Sequence, residues 1–210
     1  GNNERDFMMR HTSKIRSRFA ALVCVAVLGL LLARIATRAI AQPDLSARLP
    51  RIAPVEPAAA ENTFAVFDGY RMELVAAEPQ VTSPVAMEFD AAGRLFVVEM
   101  RDYSEQAEEK LGRVRLLTDV DGDGRFETST VFAEGLSWPT AITCYDGGVF
   151  VAAAPGIVYL KDTDGDGRAD VKREIISGFG RSNVQGLVNS LRWSLDNRIH
   201  GATSSAGGEL

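Results

Sequence analysis

A chain of 210 residues is long enough for one domain and a leader, and 46% apolar with 24% charged residues is ordinary globular composition. A net charge of −5 without a clustered basic face excludes a nucleic-acid footprint. Two histidines (His11, His200) and two cysteines (Cys24, Cys144) exclude a histidine-rich zinc or copper centre and a Cys-x-x-Cys-His haem attachment within the chain.

Residues 8–41 read as a signal peptide. Arg10, Lys14, Arg16 and Arg18 form a basic start, and residues 19–33 are uncharged, apolar and too short for a comfortable membrane span. Ala39-Ile40-Ala41 supplies a small-x-small cleavage pattern, which predicts a mature start at Gln42; Arg34 and Arg38 leave an uncleaved anchor as the alternative. Met8 or Met9 is the natural start, with the residues before them an extension. Export to the periplasm or the membrane surface follows, with membrane contact only through this leader. Cleavage would leave Cys144 as a lone thiol without an internal disulfide partner. Residues 42–63 carry Pro43, Pro50, Pro54 and Pro57 among alanines, and read as a disordered, extended linker.

From residue 64 to 210 apolar residues alternate in short runs between turn signals, which is the strand period. Strands are expected at 70–76, 85–90, 94–99, 112–117 and 126–132. The order then restarts at 140–145, 149–153, 157–160 and 171–176, and again at 190–196 and 198–202. Leu95, Val149 and Ile199 are equivalent positions. Four short strands per unit of about 50 residues predict a β-propeller, here roughly two and a half blades of four-stranded antiparallel sheet. A generic β-sandwich explains the strands but not the repeated order. The expectation is therefore the amino-terminal part of a truncated propeller over residues 64–210, with residues 70–76 completing a blade whose other strands are missing.

One nine-residue loop occurs twice within that order. Asp119, Asp121, Asp123 and Glu127 stand at positions 1, 3, 5 and 9, and Asp162, Asp164, Asp166 and Asp170 repeat them. A glycine follows at position 6 in each copy, where a left-handed backbone lets the loop wrap an ion. This is the spacing of a calcium loop, whose seventh ligand position is a carbonyl, here of Arg125 or Arg168. Thr130 and Arg173 stand where a helix–loop–helix hand has its twelfth-position glutamate, so that fold is not expected. A charged, solvated turn without metal is the plainer alternative.

Naming the strands of a blade a to d outwards from the channel puts the d–a and b–c connections on a first face. The a–b and c–d connections lie on a second face. The acidic loops are c–d connections, hence peripheral and structural. The first face gathers a candidate pocket from Arg101, Trp138, Asn183, Gln185 and Asn189, suited to sugar hydroxyls or an anionic cofactor. For each alone the plainer alternative is packing between blades or satisfaction of loop backbone.

Several runs resemble one family. They are residues 69–79 (Gly-Tyr-Arg-Met-Glu-Leu-Val-Ala-Ala-Glu-Pro), Val97-Val-Glu-Met-Arg101, Gly135-Leu-Ser-Trp-Pro139, Asp162-Thr-Asp-Gly-Asp-Gly167, Asn183-Val-Gln-Gly186 and Leu191-Arg-Trp193. The chain resembles the membrane-bound dehydrogenase family of planctomycete-type bacteria, across residues 64–210. That resemblance implies an amino-terminal propeller related to soluble quinoprotein glucose and sorbosone dehydrogenases. It also implies calcium and pyrroloquinoline quinone as cofactors, a carbohydrate or alcohol substrate, and an electron-accepting cytochrome domain with haem c encoded downstream. The relatives use a histidine just before a strand a as base; here Gln185 or Gly186 falls at that position, so no catalytic residue is assigned. Two other readings stay open: a non-catalytic calcium-stabilised propeller binding carbohydrate or protein, and a calcium-dependent adhesion module.

Overall fold

The computed structural model describes residues 53–203 and 205–210. The expected signal peptide and most of the linker lie outside the described residues. At its described end the linker is not wholly extended: α1 (Pro57–Ala60) forms one turn, followed by a 3-10 turn over Glu61–Thr63. Pro57 sits at the start of α1, where its missing N–H costs nothing and its fixed φ suits a helix. No described helix is long and apolar enough to cross a membrane.

The fold is all-β. The strands β1 (Pro84–Phe89), β2 (Leu95–Glu99), β3 (Gly112–Thr118) and β4 (Thr128–Leu136) pair in chain order as one antiparallel sheet. A second four-stranded sheet repeats the order with β5 (Pro139–Tyr145), β6 (Gly148–Ala153), β7 (Gly156–Lys161) and β8 (Val171–Ser177). A third begins with β9 (Asn189–Trp193) and β10 (Ile199–Ala202). The leading strands β1, β5 and β9 are neighbours across the sheets. Successive sheets of this kind, touching through their innermost strands, are the open, partial propeller that the repeat predicts.

Alternation in the sequence explains how the sheets stack. In β2 every residue is buried, so both of its faces are covered. Leu95 and Val97 face one way and meet Leu117 and Phe126, with Ala76 and Val81 against them. Phe96 and Val98 face the other way, into a core shared with Ile142, Val149, Val151 and Leu160 of the second sheet. Within it Phe96 meets Phe132 edge-on, with ring centroids 4.9 Å apart. β6 repeats the logic: Val149 and Val151 face back, while Ala152 joins Phe179, Leu187, Val188 and Leu191 on the side of the third sheet. Each such valine or leucine contributes about 1.5–3 kcal/mol by leaving water.

Three expectations are corrected. Residues 70–76 form no strand, because no ladder partner runs beside them among the described residues; one backbone bond, from the Phe126 N–H to the Val75 carbonyl (3.0 Å), ties the segment down. β4 starts at Thr128, later than expected, because Gln80 takes the Phe126 and Glu127 carbonyls through its amide (2.7 and 3.3 Å). β9 stops at Trp193, since the Ser194 N–H already turns back to the Arg198 carbonyl (2.9 Å).

Candidate functional site

Antiparallel order puts the β2–β3, β4–β5 and β8–β9 connections at one end of the sheets. Their side chains converge around Asp102, which is fully buried. Its carboxylate Oδ2 accepts the Trp138 backbone N–H, and its carbonyl accepts the indole Nε1–H, each at 3.0 Å. The two bonds hold Trp138 in a left-handed backbone conformation (φ 45°) that a bulky residue rarely adopts. Over the indole lies the Arg181 guanidinium, 5.5 Å from the ring centroid, a cation–π distance. Arg181 Nη2 donates to Ser137 Oγ at 2.7 Å, and Ser137 donates onward to the Ala107 carbonyl at 2.8 Å.

Beside this group Gln185 Nε2 donates to the Tyr103 hydroxyl at 3.2 Å. Asn183 accepts the Gln185 N–H through its side chain (2.9 Å) and donates to Ser205 Oγ (3.2 Å). Trp138, Asn183 and Gln185 are thus on one face, as the topology requires. Arg101 stands next to Asp102, exposed and without an ion pair among the described residues. Asn189 lies apart: its Oδ1 accepts the Ser190 N–H (2.6 Å), and it lines a separate cavity of about 120 Å³ with Thr140 and Arg192. Asp102 and Tyr103 follow Arg101 in the run the sequence reading gives to this face but were not singled out from it, and Arg181 escaped that reading. Their contacts span 36 or more residues, and nothing local marks an acid, a phenol and an arginine in two loops.

One charged network braces this end, and a second joins the leading strands towards the opposite end. Buried Glu99 accepts the Thr82 N–H (2.7 Å) and pairs with Arg113, with Arg115 Nε at 3.7 Å. Desolvation, then the neighbouring Arg113, pull the Arg115 pKa down, against the opposing pull of Glu99. In the channel wall Glu88 of β1 accepts from Thr143 of β5 (3.3 Å) and from Arg192 of β9 (3.0 Å), joining three leading strands through one carboxylate. Cys144 is a free, half-buried thiol; burial, with Glu88 nearby, pushes its pKa up to about 11 and keeps it unreactive.

The acidic loops occupy the opposite, second face. Asp119 accepts the N–H groups of Gly122 (2.6 Å) and Gly124 (2.9 Å), and Asp162 those of Gly165 (2.7 Å) and Gly167 (2.8 Å). Gly124 and Gly167 take φ of 89° and 82°, the left-handed turn that glycine allows. In the first loop Asp119, Asp121, Asp123 and Glu127 each offer an oxygen within 4.8 Å of the others; in the second only Asp162, Asp164 and Asp166 do. Asp170 is turned instead to the Thr163 N–H (3.1 Å) and hydroxyl (2.7 Å). Arg125 and Arg168 donate their N–H groups to Asp123 (2.7 Å) and Asp166 (2.8 Å), which fixes both peptide planes. Hard oxygens of this kind suit a calcium-type cation and not a soft metal.

His200, the one histidine among the described residues, bonds Asp196 at 3.0 Å beside the β9–β10 turn, on the second face. That bond is the main reason the Asp196 carboxyl lies below its usual pKa. Gln185 and Gly186, between which the quinoprotein resemblance would put a base, carry no group that takes a proton, so these first-face residues do not fit that quinone chemistry.

No curated protein matches this chain. A solved structure titled as an iodide structure of a Trichoderma reesei member of carbohydrate-active enzymes family AA12 is similar at 16% identity and a TM-score of 0.42. The similarity covers 54% of this chain and 27% of that one, so this chain spans about a quarter of its length. A family model described as a domain of unknown function, DUF7133, matches residues 56–210. That span is most of the chain, and the protein belongs to the DUF7133 family.

Proposed function

We propose that this chain forms part of an exported, calcium-stabilised propeller whose first face binds carbohydrate. The observation that carries the reading is the convergence of Tyr103, Asn183 and Gln185 on one rim above buried Asp102. Hydroxyl and amide groups fixed by each other, beside an aromatic ring, match the alternating donors and acceptors of a sugar. The acidic loops would hold calcium through Asp119, Asp121, Asp123 and Glu127 in the first copy and Asp162, Asp164 and Asp166 in the second. Neutralising clustered carboxylates would tighten the β3–β4 and β7–β8 hairpins at the far end from the pocket. No oxidation step is assigned to the pocket, because the Gln185 amide cannot take a hydroxyl proton at neutral pH.

Screening the calcium-loaded chain against a panel of neutral and acidic oligosaccharides tests the reading. Binding is expected, weakened about tenfold by Gln185→Ala through loss of roughly 1–1.5 kcal/mol of hydrogen bonding. A chain that binds no glycan in the panel sinks the proposal.

A further inference from the structure

Among the described residues, buried side-chain atoms without any hydrogen-bond partner include Asp102 Oδ1 and Arg181 Nε. Both belong to the Trp138 group, and they are of opposite sign. Buried polar atoms of this kind are rare, since each lost its water without gaining a partner. Arg181 is underused in other ways. Only Nη2 makes a hydrogen bond, to Ser137, while Nη1 reaches Glu108 Oε1 only at 3.9 Å, beyond hydrogen-bond length. Glu108 is itself almost fully exposed (88%), so water weakens that pair further. The indole below and Ser137 beside it nevertheless fix the guanidinium plane. A guanidinium held flat, with donors to spare, is organised for a planar acceptor that takes two N–H bonds at once.

We propose that the ligand of this face is an acidic carbohydrate, a uronate, whose carboxylate is read by Arg181. The inference rests on the carbohydrate reading above. Glu108 works against such a ligand, as the one carboxylate among the described residues within 4 Å of the guanidinium. Arg181 is therefore a specificity residue for charge, and Glu108 a brake on it.

The test is calorimetry on the calcium-loaded chain with trigalacturonate and with its methyl ester, which keeps the shape and removes the charge. The acid is expected to bind about tenfold to a hundredfold more tightly than the ester. Arg181→Met should erase that preference, read as the ratio of acid to ester affinity within the same variant. Arg181→Lys should recover only part of it, because an ammonium lacks the fork. Glu108→Gln, at an exposed site that folding does not depend on, should strengthen acid binding alone. Acid and ester binding the wild-type chain equally overturns the charge assignment but keeps the carbohydrate reading. Failure of both to bind, in a chain that binds no other glycan, overturns both.

Discussion

The two acidic loops are the same device built twice, and their differences are more informative than their likeness. Bond for bond they agree: position 1 accepts two N–H groups, position 3 accepts from position 5 (3.2 Å in both), and position 5 accepts from position 7. They also dock alike. The position-8 N–H of the first loop, on Phe126, bonds the Val75 carbonyl at 3.0 Å, and that of the second, on Ala169, bonds the Phe132 carbonyl on β4 at 2.7 Å. Each loop thus clips its sheet to whatever lies before it. The loops differ at three side chains, the first being Val120 against Thr163 at position 2, whose hydroxyl holds Asp170. Position 8 is a buried phenylalanine in one and an alanine in the other. Position 9 is a glutamate that reaches the acidic cluster in one, and an aspartate that does not in the other. The backbone pattern is therefore set by the aspartates and glycines, while anchoring strength and charge count are set separately.

The anchoring difference gives the largest expected effect. Phe126 fills the core formed by Leu95, Val97 and Leu117, so Phe126→Ala should cost about 3–5 kcal/mol. Ala169→Gly, at the equivalent place, should cost only about 0.5–1 kcal/mol. Chemical denaturation of the calcium-loaded chain measures both. Equal costs would mean that the two clips work through their shared backbone bond, and that the phenyl ring adds nothing.

The likeness between Val75 and Phe132 also marks how far the sequence could be read. Alternating apolar runs disclosed the paired strands of both complete blades, since inward and outward residues obey a period of two. They overcalled residues 70–76, which have the alternation but no strand beside them, and pairing is not a local property. Position 8 shows that this segment still occupies the place that β4 holds for the next loop. At the first face, Trp138, Asn183 and Gln185 were found from topology alone. Arg181 was not, and the role of Asp102 beside Arg101 was not, because their meaning comes from contacts between loops that the spacing of residues does not encode. Asn189 was grouped with them because its loop ends on the same face, although its side chain serves a neighbouring N–H.

A smaller effect follows from position 9. Glu127→Asp should draw the ninth carboxylate out of the first cluster, and Asp170→Glu should bring one into the second. One carboxylate more or less is expected to change calcium affinity about tenfold in opposite directions, since ligand charge tunes such loops. Titration calorimetry on the two variants reads the two sites separately, provided Asp121→Ala and Asp164→Ala each remove one equivalent of ion. Affinities that stay put on the swap would show that Asp170 already reaches its ion in solution.

The smallest effect concerns the position-1 acid of the second loop. The N–H groups of Gly165, first, and Gly167 favour the charged form of Asp162 and lower its pKa from the ordinary 3.8. For a group lowered on folding, the stabilisation is full above its unfolded pKa and disappears as pH falls through the lower folded value. In metal-stripped protein the second loop should therefore keep its turn through neutral and mildly acidic solution and loosen only below the usual carboxylate range. Carbon-detected NMR titration of Asp162 in the presence of chelator gives the folded pKa directly, and a value at or above 3.8 would contradict the assignment. A depressed value would mean that the loop is charged and shaped before any cation arrives, so that its affinity for calcium is independent of pH until the carboxylates themselves begin to titrate.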